Sequence, residues 1–136
     1  MRFAAALETN IGLLHLDLGY NGAGSCGPVA GRALASAIEK NENLRHLDLE
    51  GNELGPESGV ALATAITRNN TLRYLNVRNN RFDARTGEKW LAGVTANLGL
   101  MEICFSVVEI GDDNFQKVAA VMKARASVAG MEDPDV

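Results

Sequence analysis

The chain has 136 residues, 46% of them hydrophobic, with 13 basic and 17 acidic side chains and a formal net charge of −4. That length makes one domain, and domains of about this size bury roughly two-thirds of their unfolded-chain surface. Basic and acidic residues are interspersed, which leaves no basic face for nucleic acid or an anionic membrane, and no apolar run approaches the ~18 residues of a membrane span.

The N-terminal MRFAAALETN lacks the apolar core and cleavage site of a secretory signal, and is too short of arginine for a transit peptide. Met1–Thr9 reads as the helical half of a repeat whose strand is absent. Leu7 precedes Leu13 by six residues, as Ile38 precedes Leu44, Ile66 precedes Leu72 and Val94 precedes Leu100. The chain therefore begins mid-repeat, either with an N-terminal cap or as a piece of a longer array. The helix's apolar face (Phe3, Ala4, Leu7) is expected to cover the open edge of the first strand.

Four units follow that half-repeat, which spans 1–12. Leu13–Asn43 carries three extra residues, Leu44–Thr71 and Leu72–Gly99 have a period of 28, and Leu100–Ser127 keeps the apolar skeleton with a degraded turn. The polar end, 128–136 with Pro134, is expected to be a tail that frays from Gly130. Each unit opens with a strand in which Leu16/Leu18, Leu47/Leu49 and Leu75/Val77 point inward at period two. Each closes with a helix that turns Leu34/Ile38, Leu62/Ile66 or Trp90/Val94 toward the core. Trp90 beside Gly93 replaces a leucine beside an alanine, so Trp90 is expected in the core. Asn21, Asn52 and Asn80 follow the strands, where their amides can bond neighbouring backbone and form a structural ladder along the stack.

Leu47-Asp48-Leu49-Glu50-Gly51-Asn52-Glu53-Leu54, preceded by Leu44, resembles the leucine-rich repeat pattern LxLxxNxL. Leu13, Leu16, Leu18 and Asn21 match in the unit before, and Leu72, Leu75, Val77, Asn80 and Phe82 in the unit after. The last unit keeps Leu100, Ile103, Phe105 and Ile110 but has Val108 at the asparagine position. Repeat length and alanine-rich helices are similar to the ribonuclease-inhibitor-like class. The resemblance implies an α/β leucine-rich repeat solenoid, a short right-handed horseshoe with a parallel sheet on its concave face and helices on its convex face. The whole of 1–136 is then one repeat domain. Family likeness specifies fold and leaves the partner open.

Several constellations invite chemistry. Gly22-Ala-Gly24-Ser-Cys-Gly27 is a GxGxxG with acidic residues about 20 positions on. The strand before it, LLHLDL, alternates polar and apolar, whereas a dinucleotide-binding first strand is apolar throughout. The glycines are expected to form a lengthened, flexible turn, with no cofactor. In the repeat frame His15, His46, Tyr74 and Glu102 form one outward row and Asp17, Asp48, Asn76 and Cys104 the next. Gly19, Glu50, Arg78 and Ser106 form a third. Two histidines and two aspartates are a zinc set in type, but flat parallel strands do not converge ligands tetrahedrally, so no metal site is expected. Cys104 has no histidine on the neighbouring strand, so nucleophilic catalysis and enzyme activity are not expected. Cys26 and Cys104 lie three strand spacings of ~4.8 Å apart, beyond disulfide reach. Asn69-Asn70-Thr71 is a chance glycosylation sequon in a chain expected in the cytosol or another reducing interior.

The expectation is a non-catalytic interaction module that binds a protein through its concave sheet, by way of His15, Asp17, Tyr20, His46, Asp48, Glu50, Tyr74, Asn76, Arg78 and Glu102. Arg73 and Arg78 flanking Tyr74 resemble an interface hot spot. The first alternative is a structural subunit or fragment of a larger assembly such as a ciliary or cytoskeletal complex, suggested by the apolar Phe105, Val107 and Val108. The second is a GTPase-activating or inhibitor-type regulator, as the repeat class implies; no catalytic residue of an activator aligns here.

Overall fold

The structure, a computed structural model, describes residues 2–25 and 27–132. The elements run α1 (Arg2–Thr9), β1 (His15–Asp17), α2 (Val29–Lys40), β2 (His46–Asp48), α3 (Gly55–Arg68), β3 (Tyr74–Asn76), α4 (Ala84–Ala96), β4 (Glu102–Cys104), α5 (Val107–Ile110) and α6 (Asp112–Glu132). The four strands form one parallel sheet in chain order. The helices form the opposite layer, α1 on α2 on α3 on α4 on α6. Packed helices need about 8–10 Å each and strands only ~4.8 Å, so the stack bends with its strand face inside the curve.

The core runs between the layers. Leu47 and Leu75 from the strands, Leu49 and Val77 directly after them, and Leu34, Ile38, Leu62, Ile66, Trp90 and Val94 from the helices are all buried. Phe82 and Phe105 bracket Trp90, the latter edge-on at 5.2 Å. In the first unit Leu16 and Leu18, at the edge of the sheet, are only half-buried. Glycines at Gly31, Gly59 and Gly87 let successive helices close up: a Cβ on any of them would strike Ser58, Thr86 or Ile110. Helix α4 has a side-chain N-cap, which α2, α3 and α5 lack. Asp83 accepts from the Thr86 backbone N–H at 2.8 Å, and that bond holds its carboxyl below the usual range.

Two asparagine ladders stitch the units. In the first, Asn52 donates to Leu18 O and Leu49 O while accepting from the Asn21 and Ala23 N–H groups. Asn80 repeats this one unit on, donating to Leu49 O and Val77 O and accepting from Asn52 N–H. The second ladder lies at the helix C-termini. Asn41, Asn69 and Asn97 each donate back to the preceding helix end, at Leu7 O, Ile38 O and Ile66 O, and each accepts from the two N–H groups entering its own strand. Asn10 starts this series and Arg125 ends it, with guanidinium bonds to Val94 O and Leu100 O. A cation at the carbonyl end of α4 suits the helix dipole.

The structure departs from sequence expectation in several places. The α1 helix packs on α2 and leaves the β1 edge open; Ala4 and Leu7 are buried, but Phe3 is 42% exposed. The expected turn of the last unit is the short helix α5, which points Val108 outward at 94% exposure. Its polar duties pass to Ser106 and Glu109, which accept from the N–H groups of Asn79 and Arg81. Gly130–Glu132, expected in the frayed tail, belong to α6; positions 133–136 lie outside the described residues. The glycine turn, expected to be flexible, is built into the stack at Gly24. Gly24 N–H donates to Asn52 O at 2.8 Å, and a Cβ at Gly24 would overlap the Glu53 carbonyl. Cys26, and with it the spacing argument against a disulfide, lies outside the described residues.

Candidate functional site

Strand register brings the outward rows together. His15, His46, Tyr74 and Glu102 are paired in sequence across the four strands, and so are Asp17, Asp48, Asn76 and Cys104. The first row is a track of rings. His46 stacks on Tyr74 with centroids 4.1 Å apart and planes 13° from parallel, and His15 follows at 5.2 Å. His15 and Glu102 are exposed, His46 and Tyr74 half-buried. Across the sheet the Cys104 thiol lies 3.7 Å from the Tyr74 hydroxyl. Burial and that contact push the Tyr74 hydroxyl up to about 12.

The second row holds its own turns. Asp17, Asp48 and Asn76 each accept, through Oδ1, from the N–H two residues on, at Gly19, Glu50 and Arg78. Asn76 donates in turn to Asp48 and Glu50 at 3.4 and 3.3 Å. At 4% exposure Asn76 is part of the support, so its expected place on the contact surface is corrected. Glu50 is half-buried, Arg78 exposed. Tyr20 is also exposed, but it stands on the rim in a left-handed turn (φ 57°) with its ring laid over Gly51. The same left-handed position recurs at Gly51 and Asn79. Arg73 folds back: its Nη1 donates to the carbonyls of Asn70, Thr71 and Leu72, so it does not flank Tyr74 as a free hot-spot arginine.

Other candidates resolve into structure. Trp90 is fully enclosed, and Asn69 is buried with its amide committed to the second ladder, which leaves the sequon no free acceptor. Among the described residues, no group of three or more His, Cys, Asp and Glu is placed to hold a metal, and no helix is long and apolar enough to cross a membrane. The ring track was implicit in the repeat rows. Sequence reasoning missed the second ladder, although Asn10, Asn41, Asn69 and Asn97 are spaced like the leucines.

Comparison with known proteins fits this architecture. The family model described as Leucine Rich repeat matches residues 40–63 and 68–85. No curated protein matches the chain in sequence. Among solved structures, leiomodin-1 actin-binding site 2 superposes with a TM-score of 0.82 at 20% identity, covering 96% of this chain and 74% of that one. The tropomodulin C-terminal domain of Caenorhabditis elegans gives 0.61 at 12% identity, covering 94% and 93%. At these identities the likeness is one of fold.

Proposed function

We propose that this leucine-rich repeat chain is a non-catalytic protein-interaction module whose working surface is the strand face. The observation that carries the reading is the ring track. His15, His46 and Tyr74 occupy equivalent outward positions on three adjacent strands and stack into one row, exposed at His15 and half-buried at His46 and Tyr74. Rigid aromatic groups on a sheet lose little side-chain entropy on contact, which is why such groups anchor interfaces. The surface as read comprises His15, Asp17, Tyr20, His46, Asp48, Glu50, Tyr74, Arg78 and Glu102, in a cytoplasmic setting. No cofactor enters this reading.

The test is capture of partners from the source cell on the intact chain and on a His46→Ala/Tyr74→Ala/Arg78→Ala variant, with circular dichroism showing that both are folded. A protein retained by the first and lost by the second supports the strand face. Equal retention by both overturns it.

A second reading makes the chain a subunit of a cytoskeletal assembly. The exposed Val107 and Val108 on α5 favour it, as does the fold's likeness to an actin-binding site of leiomodin-1. Co-sedimentation with filamentous actin tests it, and a chain that stays wholly in the supernatant counts against actin as the assembly.

A further inference from the structure

The charges on the strand face are distributed unlike those on the rest of the fold. Asp17 and Asp48 stand in register on adjacent strands, whose spacing is about 4.8 Å, with Glu50 two residues past the end of β2 and Glu102 on β4 at the far edge. Like charges directly opposite each other in a sheet are destabilising. Among the described residues the ion pairs are Arg32–Glu57, Lys40–Glu8, Arg68–Glu39, Arg81–Glu53 and Lys117–Asp113. None of them involves these four carboxylates. Only Arg78 opposes them on the three rows, so this face carries −3 of the chain's formal −4 (four acids less one base). The amides of Asn76 and Asn79 reach Asp48 and Glu50 but bring no charge.

We propose that the strand face receives a cationic, arginine- or lysine-bearing protein segment. Its positive groups enter between Asp17, Asp48 and Glu50, and its stems or guanidinium planes lie along the His15–His46–Tyr74 rings. The occupant is set by charge complementarity: a cation there meets four carboxylates that none of the ion pairs among the described residues engages, and an acidic segment adds to the negative charge. Guanidinium planes also stack on aromatic faces, and the exposed His15 end of the track offers one. This rests on the strand-face reading above and specifies the chemistry of the partner at that face.

The test uses the full chain labelled with nitrogen-15, titrated at one fixed ionic strength with the peptide (Arg-Ser)6 and with (Glu-Ser)6. We expect amide shifts from (Arg-Ser)6 at residues 15–19, 46–50 and 74–78 and none from (Glu-Ser)6. An Asp17→Asn/Asp48→Asn/Glu50→Gln variant should bind (Arg-Ser)6 at least tenfold more weakly. Asparagine is what β3 carries at that position, and the variant should melt no lower than the wild type. The control Glu8→Gln/Glu39→Gln/Glu57→Gln removes the same charge from the helix side and should stay within twofold of wild type. Shifts confined to the helices, or equal weakening in both variants, overturns the inference. The surface reading can survive that result: a captured partner that is lost with the ring variant and kept by the strand-acid variant leaves the face in place and excludes a basic segment as its occupant.

Discussion

Replacing Asn69 by alanine should be among the most damaging polar substitutions available in this chain. Asn69 is 3% exposed and makes four principal bonds: Nδ2 to Ile38 O (2.8 Å) and Asn41 O (3.3 Å), Oδ1 from Thr71 N–H (2.9 Å) and Leu72 N–H (2.8 Å). Alanine removes all four. Ile38 O and Leu72 N–H lie where water does not reach, and each buried backbone group left unpaired costs about 1–3 kcal/mol. The expected loss is therefore about 2–6 kcal/mol, against about 7–20 kcal/mol of total stability for a chain of this length. Asn10 supplies the internal control. It occupies the same position in the ladder, but its partners Gly12 N–H and Leu13 N–H are exposed, and water replaces the lost bonds. Asn10→Ala should cost only about 0.5–1.5 kcal/mol. Urea unfolding followed by the fluorescence of the single tryptophan, the fully buried Trp90, measures both. Equal costs for the two variants would refute the ladder as a source of stability.

Leu47→Asp should leave no folded state at 25 °C, because Leu47 is fully buried at the centre of the stack and the carboxylate would have no partner; a cooperative melt close to wild type contradicts the inward assignment. Val108→Asn restores the repeat consensus yet should change stability by less than about 0.5 kcal/mol, since α5 points that side chain into solvent; a clear gain in urea midpoint would mean the turn refolds as in earlier units. Tyr74 should ionise near pH 12 in an ultraviolet absorbance titration of the native chain. Its folded value lies above the unfolded 10, so its contribution to stability is complete below pH 10 and is lost as pH rises toward 12. Tyr74→Phe should flatten that decline, and an unchanged profile would assign it elsewhere.

The 28-residue period carries most of the architecture. Leucines at fixed offsets determine which side chains face inward, and the alternation that buries Leu47 also turns His46 and Asp48 outward. Register then follows, since a slip of one residue would put the histidines in the core. The asparagines after the helices were harder to recognise, because a polar residue leaving a helix reads as loop. Their role appears only when two successive units are stacked and one amide spans both. The periodic signal fails where the stack ends. The last helix, α6, runs past the expected repeat boundary at Ser127 to Glu132. At the other end α1 keeps the spacing of a repeat helix and therefore joins the helix layer on α2. Of the candidate surface, the ring row and the acid row follow from repeat arithmetic. The burial of Asn76 does not, because it depends on Asp48 and Glu50 leaning over the strand beside them.

Partners are expected to contact the strand face. Hydrogen exchange on the chain, free and saturated with a captured partner, reads this out amide by amide. Exchange should slow at amides of residues 15–20, 46–51 and 74–79, with α2, α3 and α4 unchanged. Protection confined to α5 and α6, or to α1 and the open β1 edge, would contradict it.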